Sequence, residues 1–233
     1  MIGVYDYTVI LTYLSLLSAG TGIVVSLSGS GHPYIGCVCL LFCGLCDAFD
    51  GKVARSKKDR TQMEMNFGIQ VDSLSDLVAF GVLPACIGAA LIRTSSFLQW
   101  AFSDALGGWA AGGTRFVVHA VLVIYVLAAM IRLAWFNVTE EERQKTEGGV
   151  RKTYTGLPVT SAALIFPTVL LIHYVLPVDI TLVYVAVAIL TGYLFLSKIQ
   201  IPKPGTRGIL IMVGVGVLEC VLLILDRILF ARG

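Results

Sequence analysis

Long apolar segments separated by short polar stretches run through the whole chain. Crossing a hydrocarbon core of about 30 Å takes about 20 helical residues, because each helical residue rises about 1.5 Å. Seven segments reach this length and are predicted to span a membrane: residues 5–27, 33–56, 67–92, 115–137, 155–176, 179–198 and 207–229. The pattern therefore predicts an all-α polytopic membrane protein, with residues 1–233 forming a single integral membrane domain.

Two parts of this pattern need a separate interpretation. Residues 96–112 are rich in Gly and Ala and carry Trp100 and Trp109, a composition that favours an interfacial stretch over a spanning helix. The first apolar segment is too long for a secretory signal and lacks the basic start and cleavage site of one, so we expect it to remain as a helix of the mature protein.

Composition narrows the class of protein further. Hydrophobic residues make up 57% of the chain and charged residues 14%, and the mean hydropathy is +0.84. These values exclude an ordinary soluble domain. The sequence also has no basic and aromatic surface for nucleic acid, no nucleotide P-loop and no Ser-His-Asp arrangement.

The positions of the basic residues predict the orientation. The loops on one side of the membrane contain only Arg93 and Arg115. The loops on the other side contain Lys52, Arg55, Lys57, Lys58, Arg60, Arg143, Lys145, Arg151, Lys152, Lys198, Lys203 and Arg207. By the positive-inside rule this basic side and the N-terminus face the cytoplasm, which predicts an integral protein of the cytoplasmic membrane. The end of the second span and the start of the third then lie on the same, cytoplasmic side.

Four aspartates lie at these two span ends. Asp47 and Asp50 are three residues apart and Asp72 and Asp76 four apart, so each pair shares one face of a helix. Ionised carboxylates at such depth cost several kcal/mol unless they are neutralised. Two helix ends that each offer two carboxylates can form an all-oxygen site for hard divalent cations such as Mg²⁺.

The residues after the first pair indicate which chemistry the cations would serve. Gly51 leaves room for a ligand, and Arg55 can bind a phosphate. A cation site, a phosphate-binding group and a membrane together favour phosphoryl transfer on a lipid. A cation-coupled transporter is the alternative from a different class, because paired intramembrane carboxylates also occur in ion pathways.

The complete pattern Asp47-x-x-Asp50-Gly51-x-x-Ala54-Arg55, followed by Gly68-x-x-x-Asp72-x-x-x-Asp76, resembles the signature of the CDP-alcohol phosphotransferase family, also called class I CDP-alcohol phosphatidyltransferases. The twelve residues between Arg55 and Gly68 are a longer insertion than most members have. The resemblance implies a six-helix core, and the last apolar segment would add one C-terminal span to it. It also implies that the protein is a homodimer.

The same resemblance implies roles for the acids. Asp47, Asp50, Asp72 and Asp76 would bind two divalent ions, Mg²⁺ or Mn²⁺, and Asp76 would also be the catalytic base. An alcohol would attack the lipid-bearing phosphate of a CDP-linked lipid and release CMP. Gly51, Ala54, Arg55 and Thr61 would contact the CDP-lipid, with Thr61 at a position that in relatives can touch the nucleotide.

Two further stretches of the sequence predict which alcohol accepts the phosphatidyl group. Residues 72–84, Asp-Ser-Leu-Ser-Asp-Leu-Val-Ala-Phe-Gly-Val-Leu-Pro, and residues 151–158, Arg-Lys-Thr-Tyr-Thr-Gly-Leu-Pro, resemble the phosphatidylserine synthase branch. The carboxylate of L-serine needs a cationic partner, for which Arg132, Arg151 and Lys152 are the candidates. The expected substrates are CDP-diacylglycerol and L-serine. Sibling enzymes that use glycerol 3-phosphate, inositol phosphate or choline are the alternatives.

Overall fold

A computed structural model describes residues 2–28, 33–103, 108–146, 153–175 and 178–229, and these residues form a helical bundle. The elements in chain order are α1 (Ile10–Leu27), α2 (Pro33–Ser56), α3 (Gln62–Asp76), a π-helical segment (Leu77–Val82), α4 (Leu83–Thr94), α5 (Ser96–Ala101), α6 (Gly108–Thr146), β1 (Thr153–Thr155), a 3₁₀ turn (Val159–Ser161), α7 (Ala162–Val175), α8 (Thr181–Leu196), β2 (Gln200–Pro202) and α9 (Thr206–Leu229). The predicted all-α class is confirmed.

Five helices are long and apolar enough to cross a membrane, namely Ile10–Leu27, Pro33–Ser56, Gln62–Thr94, Trp109–Arg143 and Arg207–Leu225. The other two predicted spans form shorter apolar helices, Val159–Ile172 and Thr181–Leu196. All seven predicted segments therefore contain an apolar helix, and the polytopic architecture is confirmed.

The first span begins later than predicted. Residues 5–9 do not join α1, because the Asp6 carboxylate accepts hydrogen bonds from the backbone N–H and the hydroxyl of Thr8 and so stabilises a turn. The helix begins at Ile10. Asp6 consequently lies outside the membrane-spanning helix.

The fourth predicted span is part of a much longer helix. α6 has 39 residues and continues well past residue 137. Its polar end is stabilised by ion pairs between Glu140 and Arg143 and between Glu141 and Lys145, three and four residues apart. The helix also includes Trp109. Of the predicted interfacial stretch 96–112, residues 96–101 form α5, residues 108–112 begin α6, and residues 104–107 lie outside the described residues.

The third span changes its helical winding immediately after Asp76. Pro84 has no N–H and so cannot donate to the carbonyl of Phe80, four residues earlier. The Tyr125 hydroxyl of α6 donates to that carbonyl instead, at 2.6 Å, and the Tyr184 hydroxyl of α8 donates to the Pro84 carbonyl at 2.7 Å. Two buried tyrosines therefore stabilise the π-helical turn that follows the last aspartate.

The core of the bundle lies where α2, α4, α6, α7 and α8 meet. The ring of Phe166 packs edge-on against Tyr125 at 5.4 Å and lies 4.9 Å from the ring of Tyr184. Small residues allow the backbones to approach closely. A methyl group at Gly44 would lie only 2.6 Å from the Cβ of Ala163, so this contact between α2 and α7 requires glycine.

A short antiparallel pair of strands, which the hydropathy pattern did not predict, connects the loops before α7 and after α8. Thr153 pairs with Pro202 and Thr155 with Gln200. Gly156 follows β1 with φ of +78°, and a methyl group there would lie 2.8 Å from the carbonyl oxygens of Phe195 and Ser197. Glycine is therefore required where residues 153–157 cross the end of α8.

Candidate functional site

The four aspartates lie at facing ends of two helices. Asp47 and Asp50 lie in the last three turns of α2, and Asp72 and Asp76 close α3. Asp76 is buried, with 9% of its surface exposed. The helices reverse direction through a loop of five residues, 57–61, which brings the two acidic faces together.

The four carboxylates interact with one another. The carboxyl groups of Asp50 and Asp72 lie within hydrogen-bonding reach of each other, and Asp76 lies close enough to interact electrostatically with the other three. Asp47 also interacts with Asp72. We call these four residues the acid cluster. The sequence-based expectation that the two pairs would meet is therefore matched by the geometry.

The acid cluster has the chemistry of a cation site. Across residues 2–28, 33–103, 108–146, 153–175 and 178–229, none of its carboxylates forms an ion pair with a lysine or arginine. Carboxylates this close repel one another unless a proton or cation neutralises them, and an all-oxygen donor set suits a hard divalent ion. The described side chains do not form a preorganised cage of three or more ligands, so cation binding would require them to reorient.

Helix α1 supports both acidic helices. The Ser75 hydroxyl, next to Asp76, donates to the carbonyl of Thr12 at 3.2 Å. On the α2 side, the Cys43 thiol donates to the carbonyl of Ser15 at 3.2 Å. These contacts fix α2 and α3 to a common neighbour.

The predicted phosphate-binding residues lie beside the first aspartate pair. The Arg55 side chain turns back along α2, and its Nη1 lies 3.2 Å from the position that a methyl group on Gly51 would occupy. Ala54 is the residue between them on the last turn. The small residues therefore leave space on this helix face, and the guanidinium lies in it.

Thr61 is the N-cap of α3. Its hydroxyl accepts a hydrogen bond from the Glu64 N–H at 3.2 Å, and the Glu64 carboxylate accepts one from the Thr61 N–H at 2.7 Å. This capping box gives Thr61 a structural role, and its side chain is exposed. Contact between Thr61 and the nucleotide stays a prediction.

An ion-pair network connects the loop between the acidic helices to the N-terminal segment. Lys57 Nζ lies 2.7 Å from Asp6 Oδ2 and 2.9 Å from Glu64 Oε1. The hydrogen bonds from Lys57 and Thr8 lower the pKa of Asp6 to about 2. The hydrogen bonds to Asp6 and Glu64 raise the pKa of Lys57. Residues 2–9 are thereby attached to the loop that joins the two acidic helices.

Arg132 lies in the stretch of α6 that packs against the end of α3 and the π-helical turn after it. On the N-terminal side of Arg132, Ala129 packs against Gly81, in the π-helical turn. On its C-terminal side, the Asn137 side chain donates a hydrogen bond to the Ser73 hydroxyl at 2.7 Å. Arg132, between these two contacts, is 5% exposed. Its Nε donates to the Leu157 carbonyl at 3.2 Å.

The guanidinium of Arg132 also lies against an aromatic side chain, 5.6 Å from the centre of the Phe136 ring. The predicted serine-binding cation is therefore a buried arginine that faces residues 153–158. The other two candidates, Arg151 and Lys152, lie outside the described residues.

Three residues near the site had not been assigned to it from the sequence. Arg60 lies against α3, Asn137 contacts the residue after Asp72, and Tyr125 holds the turn after Asp76. Asn137 and Tyr125 act through contacts between distant parts of the chain, and Arg60 acts through the way the loop folds back onto α3. The hydropathy pattern carries no signal for either kind of contact. For Tyr125, the proline four residues after Phe80 is the one local hint.

Comparison with known proteins adds an independent result. The sequence model of the CDP-alcohol phosphatidyltransferase family matches residues 8–194, which include the acid cluster, Arg55 and Arg132. The match ends before α9.

Individual relatives agree with this match. The archaetidylserine synthase of Methanothermobacter thermautotrophicus is 32% identical over 196 residues, which cover 84% of this chain and 70% of that protein. The CDP-diacylglycerol–serine O-phosphatidyltransferase of Methanocaldococcus jannaschii is 28% identical over 192 residues, 82% of this chain and 72% of that protein. The Saccharomyces cerevisiae protein of the same name is 32% identical over 163 residues, and the alignment spans 66% of this chain and half of the yeast protein.

Proposed function

Because this chain belongs to the CDP-alcohol phosphatidyltransferase family, we propose that it transfers the phosphatidyl group of CDP-diacylglycerol to the hydroxyl of L-serine, forming phosphatidylserine and releasing CMP. The observation that carries the proposal is the meeting of four carboxylates from two helices beside Arg55. The relatives support serine as the acceptor, since their names differ in the lipid group but agree on serine.

The reaction requires an in-line displacement at the lipid-bearing phosphorus. The hydroxyl oxygen of serine forms a bond to this phosphorus, the bond from phosphorus to the bridging oxygen breaks, and CMP leaves with that oxygen. Asp76, which closes α3 inside the acid cluster, would accept the proton of the serine hydroxyl. Arg55 would bind the phosphates in the space beside Gly51 and Ala54.

The family generally uses divalent metal ions. We assign two, Mg²⁺ or Mn²⁺, to Asp47, Asp50, Asp72 and Asp76, whose oxygen donors suit either ion. When bound, such ions would supply positive charge for the charge that develops on the leaving phosphate. The four carboxylates would hold the ions at the ends of α2 and α3.

The acceptor would bind between α6 and the acid cluster. Arg132, a buried arginine on the neighbouring helix, would pair with the carboxylate of serine and leave the serine hydroxyl directed toward Asp76. Arg151 and Lys152 are additional candidates for the same carboxylate.

The distribution of basic residues supports an orientation of the protein in the membrane. We place the acid cluster at the cytoplasmic side of the cytoplasmic membrane, where CDP-diacylglycerol enters from the lipid and serine from the cytosol. We further propose that the protein is a homodimer, as its resemblance to the family implies.

The decisive measurement is CMP release from CDP-diacylglycerol by purified protein with Mg²⁺ or Mn²⁺. We expect release with serine and none with glycerol 3-phosphate, inositol phosphate or choline. Asp76→Asn should lower the rate by about 10²- to 10⁴-fold, the usual contribution of general-base catalysis. Its matched control is Asp59→Asn, in the exposed loop.

Release with a different alcohol would retain the chemistry but exclude serine as the acceptor. If folded protein released no CMP with any of the four alcohols, the cation-coupled transporter would become the better hypothesis.

Acceptor binding can be tested separately through Arg132. Replacing Arg132 by Ala should raise the KM for serine by about tenfold or more, the effect of losing one charge-assisted hydrogen bond, and leave the KM for CDP-diacylglycerol nearly unchanged. Arg115→Ala is the control. Arg115 also lies over an aromatic ring, that of Phe102, but it is near the opposite end of α6 from the acid cluster. An unchanged KM for serine would exclude Arg132 from acceptor binding.

A further inference from the structure

The second glycine of the signature, Gly68, is covered by a guanidinium group. Arg60 Nη2 lies 2.7 Å from the position that a methyl group on Gly68 would occupy. Any side chain at residue 68 would therefore displace Arg60. The space that this glycine leaves on α3 is occupied by an arginine from the loop.

Arg60 also connects the two acidic helices. Its Nη2 donates to the carbonyl of Glu64 on α3 at 3.1 Å, and its Nη1 donates to the carbonyl of Ala54 on α2 at 3.5 Å. Because Gly68 and Asp72 are four residues apart on one helix face, the guanidinium lies about 6 Å along the axis from Asp72. Arg60 thus lies one helical turn from the acid cluster, on its loop side.

The same arrangement occurs on α2. Arg55 covers Gly51, and Gly51 is four residues from Asp47, again one turn along the same helix face. Each acidic helix therefore has a glycine one turn from an aspartate, and each glycine lies under an arginine. Each guanidinium therefore lies about one helical turn from an aspartate of the acid cluster.

These two arginines differ from Lys57, a basic residue that lies between them in the sequence. Lys57 is neutralised by Asp6 and Glu64. In the part of the chain that the structure describes, neither Arg55 nor Arg60 pairs with a carboxylate. Arg60 Nε is buried there without a hydrogen-bond acceptor. Two uncompensated positive charges therefore lie beside a cluster of carboxylates whose expected ligands are cations.

We propose that Arg60 is a second phosphate-binding arginine, which together with Arg55 binds the diphosphate of the CDP-lipid. This inference rests on the proposed function and adds a binding residue to the same site. Cations held by the acid cluster would face one side of the diphosphate, and the two guanidiniums would neutralise the other. Arginine suits this position because its planar donors match phosphate oxygens.

The alternative role for Arg60 is structural, since its two hydrogen bonds to carbonyl groups could simply hold the loop. A structural role predicts equal losses for ligands with and without phosphate groups. Binding of CDP and of cytidine to the full-length protein, with Mg²⁺ present and no acceptor, separates the two roles.

Replacing Arg60 by Gln should weaken CDP binding by about tenfold or more and leave cytidine binding unchanged. Arg60→Lys should recover part of the affinity, because lysine keeps the charge but not the planar donors. Lys58→Gln, which removes an exposed charge from the same loop, is the matched control and should change neither affinity. Unchanged CDP binding, or a parallel loss for CDP and cytidine, would overturn the proposal.

A double-mutant cycle with Gly68 provides a second test that does not rely on one variant. Gly68→Ala should weaken CDP binding because the added methyl group displaces Arg60. In an Arg60→Ala background the same change should have little further effect, since residues that act together are not additive. Equal losses in both backgrounds would show that Gly68 acts independently of Arg60.

The two proposals can fail separately. If the wild-type protein shows no serine-dependent CMP release but binds CDP in an Arg60-dependent manner, the acceptor assignment fails and the arginine pair stands. If serine transfer occurs and CDP affinity does not depend on Arg60, the reverse holds.

Discussion

At the scale of single residues, one hydroxyl group controls the backbone next to the proposed catalytic base. Residue 84 is a proline, so it has no N–H to donate to the Phe80 carbonyl. The Tyr125 hydroxyl donates to that carbonyl instead, inside the core. A buried carbonyl without a partner costs more free energy than an ordinary hydrogen bond contributes. The turn after Asp76 therefore depends on a side chain from another helix.

Replacing Tyr125 by Phe should lower the free energy of unfolding by about 1–3 kcal/mol, the cost of an unsatisfied buried polar group. Unfolding of the purified protein in detergent, followed by heat or denaturant, measures this change. Tyr193→Phe removes the same atom from a side chain that is 69% exposed and should have almost no effect. Equal stabilities of the two variants would show that Tyr125 does not support the turn.

The residues of the site differ in how far the sequence could identify them. Asp47, Asp50, Gly51 and Arg55 could be placed together because helical spacing is local and the apolar segments fix the helix ends. Arg60 could not be placed, because its position depends on how the loop folds back onto α3. The same limit applies to Asn137, which reaches Ser73 across 64 residues of chain.

At the scale of elements, the segment before α1 and the loop between α2 and α3 form one unit. Lys57 connects them through Asp6, and both partners are partly exposed to solvent. Asp6 is ionised in the folded protein down to a pH of about 2. Its contribution to stability is present above the ordinary aspartate pKa of about 3.9 and is lost as the pH falls toward 2.

The contribution of Lys57 to stability depends on pH in the opposite direction. The pKa of Lys57 is raised, so its contribution is present below the ordinary lysine pKa of about 10.4 and is lost only as the pH rises through the raised value. The connection between residues 2–9 and the loop should therefore be complete from about pH 4 to pH 10.

Replacing Asp6 by Asn should increase hydrogen exchange of residues 2–9 at neutral pH by about two- to fivefold, as expected for a partly exposed ion pair. In the wild type, a similar increase, corrected for intrinsic exchange rates, should appear as the pH falls from 4 to about 2. Asp59→Asn, an acid of the same loop, is the control. If Asp6→Asn leaves exchange unchanged, the ion pair does not hold the segment.

The sequence predicted those elements that hydropathy determines, and it missed those that other contacts determine. The apolar segments located seven helices, but α6 is longer than its apolar part because ion pairs within the helix stabilise its polar end. The β1–β2 pair joins residues that are nearly 50 positions apart. The π-helical segment depends on Tyr125 of another helix, which hydropathy does not reveal.

At the scale of the whole molecule, the site lies within the part of the chain that matches the family, and α9 lies beyond it. α9 packs on α2 and α7, and inside the bundle Thr168 of α7 is hydrogen-bonded to the buried carboxyl group of Glu219. Glu219 therefore serves as a contact between helices. α9 adds to the predicted six-helix core without supplying any of the proposed site residues.

The length of α8 has a consequence for the surrounding lipid. Its 16 residues extend about 24 Å, several ångströms less than the average hydrocarbon thickness of about 30 Å. Apolar side chains such as Leu190 and Tyr193 are exposed along it and face the lipid chains. The adjoining leaflets must compress, or flanking residues such as Lys198 must extend to the headgroups, to relieve this hydrophobic mismatch. α8 therefore favours a locally thinner bilayer, and membrane thickness becomes a variable on which the stability of this helix depends.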